Sequence, residues 1–274
     1  MQTTDGVLLH GAYWPPRGPV VPASYADEPA PAYALAHGFT GSSARPHVRA
    51  ICRRLSGRGA AVAVVDQRGH GASGGLTSVG VDEERDLAAV VEHLRARGHQ
   101  RVVALGFSMG ASVAIRFAAY SAGPRGAGIA AAVAVSGPAL WYERGTHAMR
   151  VLHQGVETAL GRIVVRRLSR TRVGVTGWDA LPLSPLELVA RIAPTPLLIV
   201  HGDADRYFPL RHACALAAAA SEADLWVEPG MGHAEAATTP ELVDRIDAWV
   251  RGALRRSSTL RALPDSARSV TMAR

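Results

Sequence analysis

The chain has 274 residues, 48% of them hydrophobic and 19% charged. That is enough to bury one large core, or a core plus a small insertion. Its formal net charge is +7, and all 30 basic residues are arginine. Six of these and one acid, Asp265, lie from Arg251 onward, so that end carries +5 and the rest only +2. The arginines lack the interleaved aromatics that stack bases, so nucleic acid is not an expected partner. No stretch approaches the ~18–20 apolar residues of a membrane span. The opening "MQTTDGVLLHG" has no basic n-region and no apolar h-region, so no secretory signal is expected. Cys52 and Cys214 sit in no metal-ligand spacing and read as buried thiols in a reducing, cytoplasmic setting.

Taken in chain order, strand-like and helix-like segments alternate. "VLLHGAYW" (7–14) reads as an early strand or hairpin arm, followed by a proline-rich loop over 15–31. A short buried strand, "AYALAHG" (32–38), precedes a helix over 44–59 and a strand over 60–66. The stretch 82–98 has apolar residues at 87, 90, 91 and 94 behind an acidic first turn, which predicts a helix. A strand over 101–108, a helix over 109–123 and a strand over 128–137 follow. The alternation lapses over 138–190, then resumes with a strand (196–202), a helix (210–223), a strand (224–230) and a closing helix (240–254). Continuous apolar strands alternating with helices predict an α/β fold, a mostly parallel sheet covered by helices on both faces.

The chemistry starts at "GFSMG", Gly106 to Gly110. Ser108 closes a buried strand and opens a helix, where a sharp turn pushes its hydroxyl out of the sheet. The flanking glycines suit a crowded turn, and the helix N-terminus brings free N–H groups and partial positive charge to the serine. A serine hydroxyl is a poor nucleophile at neutral pH and needs a base. On this kind of scaffold the order is serine, acid, histidine. Of the 11 histidines, only His212 and His233 follow the strand at 196–202 and its aspartates, Asp203 and Asp205. His212 falls inside a helix. His233 sits in a glycine-bearing loop after the last strand, which can reach the carboxyl edge of the sheet. Oxyanion donors are expected at the backbone N–H groups of Phe39, in "HGFTGSS" (37–43), and Met109.

These stretches, with "DQRGHGASGG" (66–75) and "HGDADRYFP…GMGH", resemble the α/β-hydrolase fold family, nearest its carboxylesterase and monoacylglycerol-lipase-like members. The resemblance spans residues 32 to 233. It implies a Ser108–Asp205–His233 triad, because the acid of such proteins stands three residues after the strand-end glycine. Asp203, directly after that glycine, is better placed to brace the turn. Asp66, Arg68 and His70 are then structural, and so are His37 and His201. Relatives with an aspartate or a cysteine at the elbow are set aside by Ser108. Thioesterases and acyltransferases share this triad and stay open, as does a ligand-binding protein that kept the scaffold.

Residues 138–190 fall where this family often inserts a lid. Apolar residues at 149, 152, 156, 160, 163, 164 and 168 form one helical stripe, weakened by Gly155 and Gly161 and flanked by arginines. The stripe could pack over the core, line an acyl pocket, or touch an anionic membrane; the first two are compatible and membrane contact is not expected. The expected organisation is a hydrolase domain over 1–254 with this lid, then a basic, disordered tail over 255–274. The expected activity is ester hydrolysis through an acyl-enzyme on small-molecule substrates, with no cofactor and no metal.

Overall fold

The structure, a computed structural model, describes residues 1–17, 30–122, 128–174, 178 and 180–262, with side chains as far as Ser257. Most of the proline-rich loop and the end of the expected tail lie outside the described residues. The apolar runs become the strands β1 (Gly11–Trp14), β2 (Ala32–Ala36), β3 (Ala61–Val65), β4 (Val102–Phe107), β5 (Ala131–Val135), β6 (Leu197–Gly202) and β7 (Asp224–Glu228). They form one seven-stranded sheet in the order β1-β3-β2-β4-β5-β6-β7. Only β1 runs antiparallel, against β3. The chain moves outward from β2 to β3, then crosses back to lay β4 on the other side of β2. This reversal opens a crevice at the carboxyl ends of β2 and β4, where ligands bind in open α/β sheets.

Side-chain alternation along the central strands sets most of their alanines on one face, beside Val65, Val102, Leu197 and Ile199. Ala32, Ala34, Ala36, Ala61, Ala63, Ala104, Ala132 and Ala134 face one side. Tyr33, Leu35, Val62, Val64, Val103, Leu105, Phe107, Val133 and Val135 face the other. The alanine face receives α2 (Glu83–Ala96), α3 (Met109–Ser121) and α7 (Arg211–Ala219). The larger face receives α1 (Pro46–Gly57) and α9 (Pro240–Ala262). Burying a side chain such as Phe107 in full contributes about 1.5–3 kcal/mol.

Two expectations are corrected. Cys52 is buried but Cys214 is exposed. On α7 the inward positions are His212, Ala213 and Leu216, and a 3.6-residue period turns Cys214 to the outer face. The single stripe over 149–168 is two helices, α4 (His147–Glu157) and α5 (Ala159–Ser169). Thr158 ends the first and caps the second, its hydroxyl accepting the Gly161 N–H at 3.0 Å. Gly155 and Gly161 mark where the two helices touch, since a Cβ on Gly161 would stand 2.7 Å from the Gly155 Cα. The last helix runs on to Ala262, and no helix breaker follows Gly252 until Pro264.

Between β7 and α9 lies one more short helix, α8 (Ala234–Ala237), and after the lid another, α6 (Pro185–Leu188). Among the described residues no helix is long and apolar enough to cross a membrane.

Candidate active site

Ser108 stands between β4 and α3 with φ 52° and ψ −117°, a left-handed conformation that costs of order 1–3 kcal/mol in a residue with a Cβ. Packing holds it there. A Cβ on Gly106 would lie 2.0 Å from the Gly110 carbonyl oxygen, and one on Gly110 would lie 2.1 Å from that of Ala36. Both glycines are therefore required by close backbone approach. The alanine face lets α3 come this near, and the Ser108 N–H is fixed by donating to the Val135 carbonyl at 2.9 Å.

The loop after β6 carries Asp205, and the loop after β7 carries His233. The chain brings all three predicted residues together. The His233 Nδ1–H donates to Asp205 Oδ2 at 2.7 Å, and His233 Nε2 lies 2.8 Å from Ser108 Oγ. A carboxylate only accepts, so the proton sits on Nδ1 and Nε2 is free to accept from the serine. The other oxygen, Asp205 Oδ1, accepts the N–H groups of Tyr207 at 2.8 Å and Phe208 at 3.1 Å. Burial alone would raise this carboxyl; the His233 bond and the two backbone donors outweigh it and hold it below the usual range. The rings of Tyr207 and Phe208 flank the imidazole at 4.4 and 5.7 Å. Asp203 instead accepts the Gly230 N–H at 2.7 Å, bracing the turn before His233.

Phe39 follows Gly38 in the turn after β2, and a Cβ on Gly38 would stand 3.2 Å from the Ser108 Cβ. Met109 is the first residue of α3, whose opening N–H groups have no partner within the helix. Both predicted oxyanion donors thus belong to backbone beside Ser108.

His37, His70 and His201 are buried. The His37 Nδ1–H donates to the Gly38 carbonyl at 2.8 Å, and Nε2 accepts the Gln67 N–H at 3.1 Å. Acceptance at Nε2 needs a neutral ring, and burial pushes its pKa down to about 3. Burial also lowers His70 and His201. Asp66 accepts from the Ser43 N–H, the Ser43 hydroxyl and the Ala72 N–H, and Arg68 pairs with Asp86 and Asp5. These groups tie loops together and do not reach Ser108. A pH consequence follows for His37. The unfolded ring takes a proton below about 6.5 and the folded ring does not. Its contribution to stability is therefore complete above that value. It is lost as pH falls toward 3, by up to about 1.4 kcal/mol per unit. Asp86, raised by burial to about 6, opposes it. Ring-nitrogen NMR from pH 7.5 to 4.5 should find His37 neutral throughout; a titration midpoint near 6.5 would contradict this.

Three contacts escaped the sequence. His212 is buried, with Nδ1 accepting the Ala139 N–H at 3.0 Å and Nε2–H donating to Glu143 at 2.7 Å. It fastens the start of the lid to α7. The Ser136 hydroxyl accepts the Ala234 N–H at 3.1 Å, and Glu235 accepts the Gly38 N–H at 2.7 Å. Each joins residues far apart in the chain, so no local pattern announces it.

Ser108 opens into a cleft of about 760 Å³. Phe39, Leu76, Val79, Met109 and Phe208 line it, with Met149, Leu152 and Val156 of α4. Trp141 and Trp178 meet at 5.3 Å. Their indole N–H groups donate to the carbonyls of Pro182 (2.8 Å) and Ser78 (3.2 Å), so what they offer a ligand is ring surface. The two helices differ: α4 lines the cleft, whereas α5 gives it Arg162 and leaves Leu160, Ile163, Val164 and Leu168 72%, 53%, 44% and 81% exposed. Among the described residues no group of three or more His, Cys, Asp or Glu is placed to hold a metal ion.

Comparison with known proteins places this arrangement. A monoacylglycerol lipase of Mycolicibacterium smegmatis is 28% identical, the alignment covering 79% of this chain and 86% of that one. The fold is similar to that of a Pyrococcus furiosus esterase, with a TM-score of 0.64, 23% identity and coverage of 93% and 90%. It is also similar to an α/β hydrolase from Penicillium, with a TM-score of 0.66, 20% identity and coverage of 93% and 96%. The family described as serine aminopeptidase, S33, matches residues 27–176, more than half of the chain. The chain belongs to that family and is an α/β hydrolase of the esterase- and lipase-like kind.

Proposed function

We propose that this protein is a serine hydrolase of small or medium carboxylic esters, acting through an acyl-enzyme. One observation carries the reading: the unbroken chain from Asp205 through His233 to Ser108, at 2.7 and 2.8 Å, at the base of an apolar cleft. Ser108 Oγ attacks the ester carbonyl as His233 Nε2 takes its proton, and the N–H groups of Phe39 and Met109 receive the oxyanion. His233 then protonates the leaving alcohol. Water, deprotonated by the same nitrogen, attacks the acyl-enzyme and releases the acid. Neither cofactor nor metal enters these steps. A cytoplasmic setting suits two unpaired thiols, one of them exposed.

An aminopeptidase reading, taken from the family's description, needs an anion to hold the substrate's ammonium group. The carboxylates at the cleft are Asp82 and Glu157. Glu157 is engaged by Arg144 at 2.6 Å and His153 at 2.9 Å, and Asp82 faces Arg85 at 3.9 Å. The apolar walls favour an ester with an acyl or aryl group. The test is a panel of p-nitrophenyl esters of increasing chain length, run beside acyl-CoA thioesters and aminoacyl p-nitroanilides. Esters should be cleaved with the highest kcat/KM. Preferred cleavage of the thioester or the anilide would replace the ester reading, and no cleavage of any ester would end it.

A further inference from the structure

We propose that Glu235 is a positioning residue for the oxyanion donor at Phe39. The inference rests on the ester-hydrolase reading and names a residue that reading does not use. Glu235 lies two residues past His233, on α8. Its Oε1 accepts the Gly38 N–H at 2.7 Å, across most of the length of the chain. On the other side of the same residue, the Gly38 carbonyl accepts the His37 Nδ1–H at 2.8 Å and the Gly41 N–H at 2.9 Å. Gly38 has no side chain to pack, and a Cβ there would crowd Ser108 Cβ at 3.2 Å and Glu235 Oε2 at 3.4 Å. A side-chain anchor is excluded at this point, so a hydrogen bond to the peptide takes its place. The N–H groups of Gly38 and Phe39 lie in two peptide planes joined at the Gly38 Cα; with the second plane held at its carbonyl, holding the first through Glu235 restricts the two soft dihedrals between them, and so where the Phe39 N–H can point.

The His233 loop is clasped on both following residues. Ala234 donates its N–H to the Ser136 hydroxyl at 3.1 Å, and Glu235 reaches Gly38. The base and one oxyanion donor are thus set by a single short segment. Burial raises the Glu235 carboxyl, although the Gly38 bond works against that shift. The geometry asks for reach and an acceptor oxygen more than for charge, and this separates two conservative variants. Glu235→Gln keeps the length and a carbonyl acceptor. Glu235→Asp keeps the charge but is one methylene too short.

The experiment measures kcat and KM on a p-nitrophenyl ester, and inhibition by an alkyl trifluoromethyl ketone, whose adduct with serine carries an oxyanion. Wild type, both variants and Ser108→Ala are compared. Glu235→Asp should lose about 10- to 100-fold in kcat, less than the full loss of a donor. Its KM should stay within about threefold, and its ketone affinity should fall in parallel with kcat. Glu235→Gln should keep both within about threefold. A general loosening of the fold would not follow this split between length and charge. Glu235→Asp behaving as wild type, or Glu235→Gln falling as far as Glu235→Asp, overturns the assignment while leaving an active, Ser108-dependent esterase standing. Wild type that cleaves no ester removes the underlying reading and this role together.

Discussion

Replacing Ser108 with alanine should lower ester turnover by about 10⁴- to 10⁶-fold and abolish labelling by a fluorophosphonate probe. The size of the loss comes from removing the covalent route. What survives is ordinary water attack on an ester held near two N–H donors, which keeps about 10³–10⁴-fold over solution. The variant should still fold. Ser108 Oγ has His233 as its recorded partner, and the imidazole is partly open to water, which can replace the hydroxyl. The backbone strain at φ 52° is the same for alanine as for serine. A variant with native-like thermal unfolding and undiminished turnover would place the nucleophile elsewhere.

The second large effect separates the two aspartates of "HGDADRYFP". Asp205→Asn should cost about 10⁴-fold in kcat. The amide can keep accepting the Tyr207 and Phe208 N–H groups through its oxygen, so the loop should hold its shape. Its nitrogen then faces His233 Nδ1 as a donor. The ring is driven to the other tautomer, with the proton on Nε2, and cannot accept from Ser108. Asp203→Asn keeps an acceptor for the Gly230 N–H at an exposed turn and should stay within about threefold of wild type. Steady-state kinetics on one p-nitrophenyl ester, with unfolding curves for both variants, decides the matter. The opposite ranking would move the acid to Asp203.

Much of this was legible in the sequence because the determinants are local. Strand–helix alternation follows from runs of apolar residues, and the elbow from glycines two positions either side of Ser108. Chain order leaves His212 and His233, and the helical setting of His212 singles out His233. What escaped depends on contacts between distant segments or on one residue's place on a helix. Thr158 reads as an ordinary polar position until its hydroxyl is seen to cap α5. Gly155 and Gly161 read as helix weakeners, whereas they are where α4 and α5 meet. Cys214 is apolar enough to suggest burial, but its helix turns it outward. Glu235 and Glu143 look like surface charges, and nothing near them in sequence reveals their partners at Gly38 and His212.

The uneven sheet divides the molecule by its tolerance of change. On the side of Ala34, Ala104 and Ala132, each added methyl group pushes toward α3 and so toward the turn that holds Ser108. A substitution such as Ala104→Val there is resisted by backbone as well as by side chains, at about 1–3 kcal/mol or more. On the side of Val64, Leu105 and Val133, the neighbours are side chains of α1 and α9, among them Ile51, Leu55, Val243 and Ile246. Volume can be exchanged among them for less than about 1.5 kcal/mol. The two layers of one core thus have different mutability: one can drift in sequence, and the other is held to small residues by the nucleophile it supports.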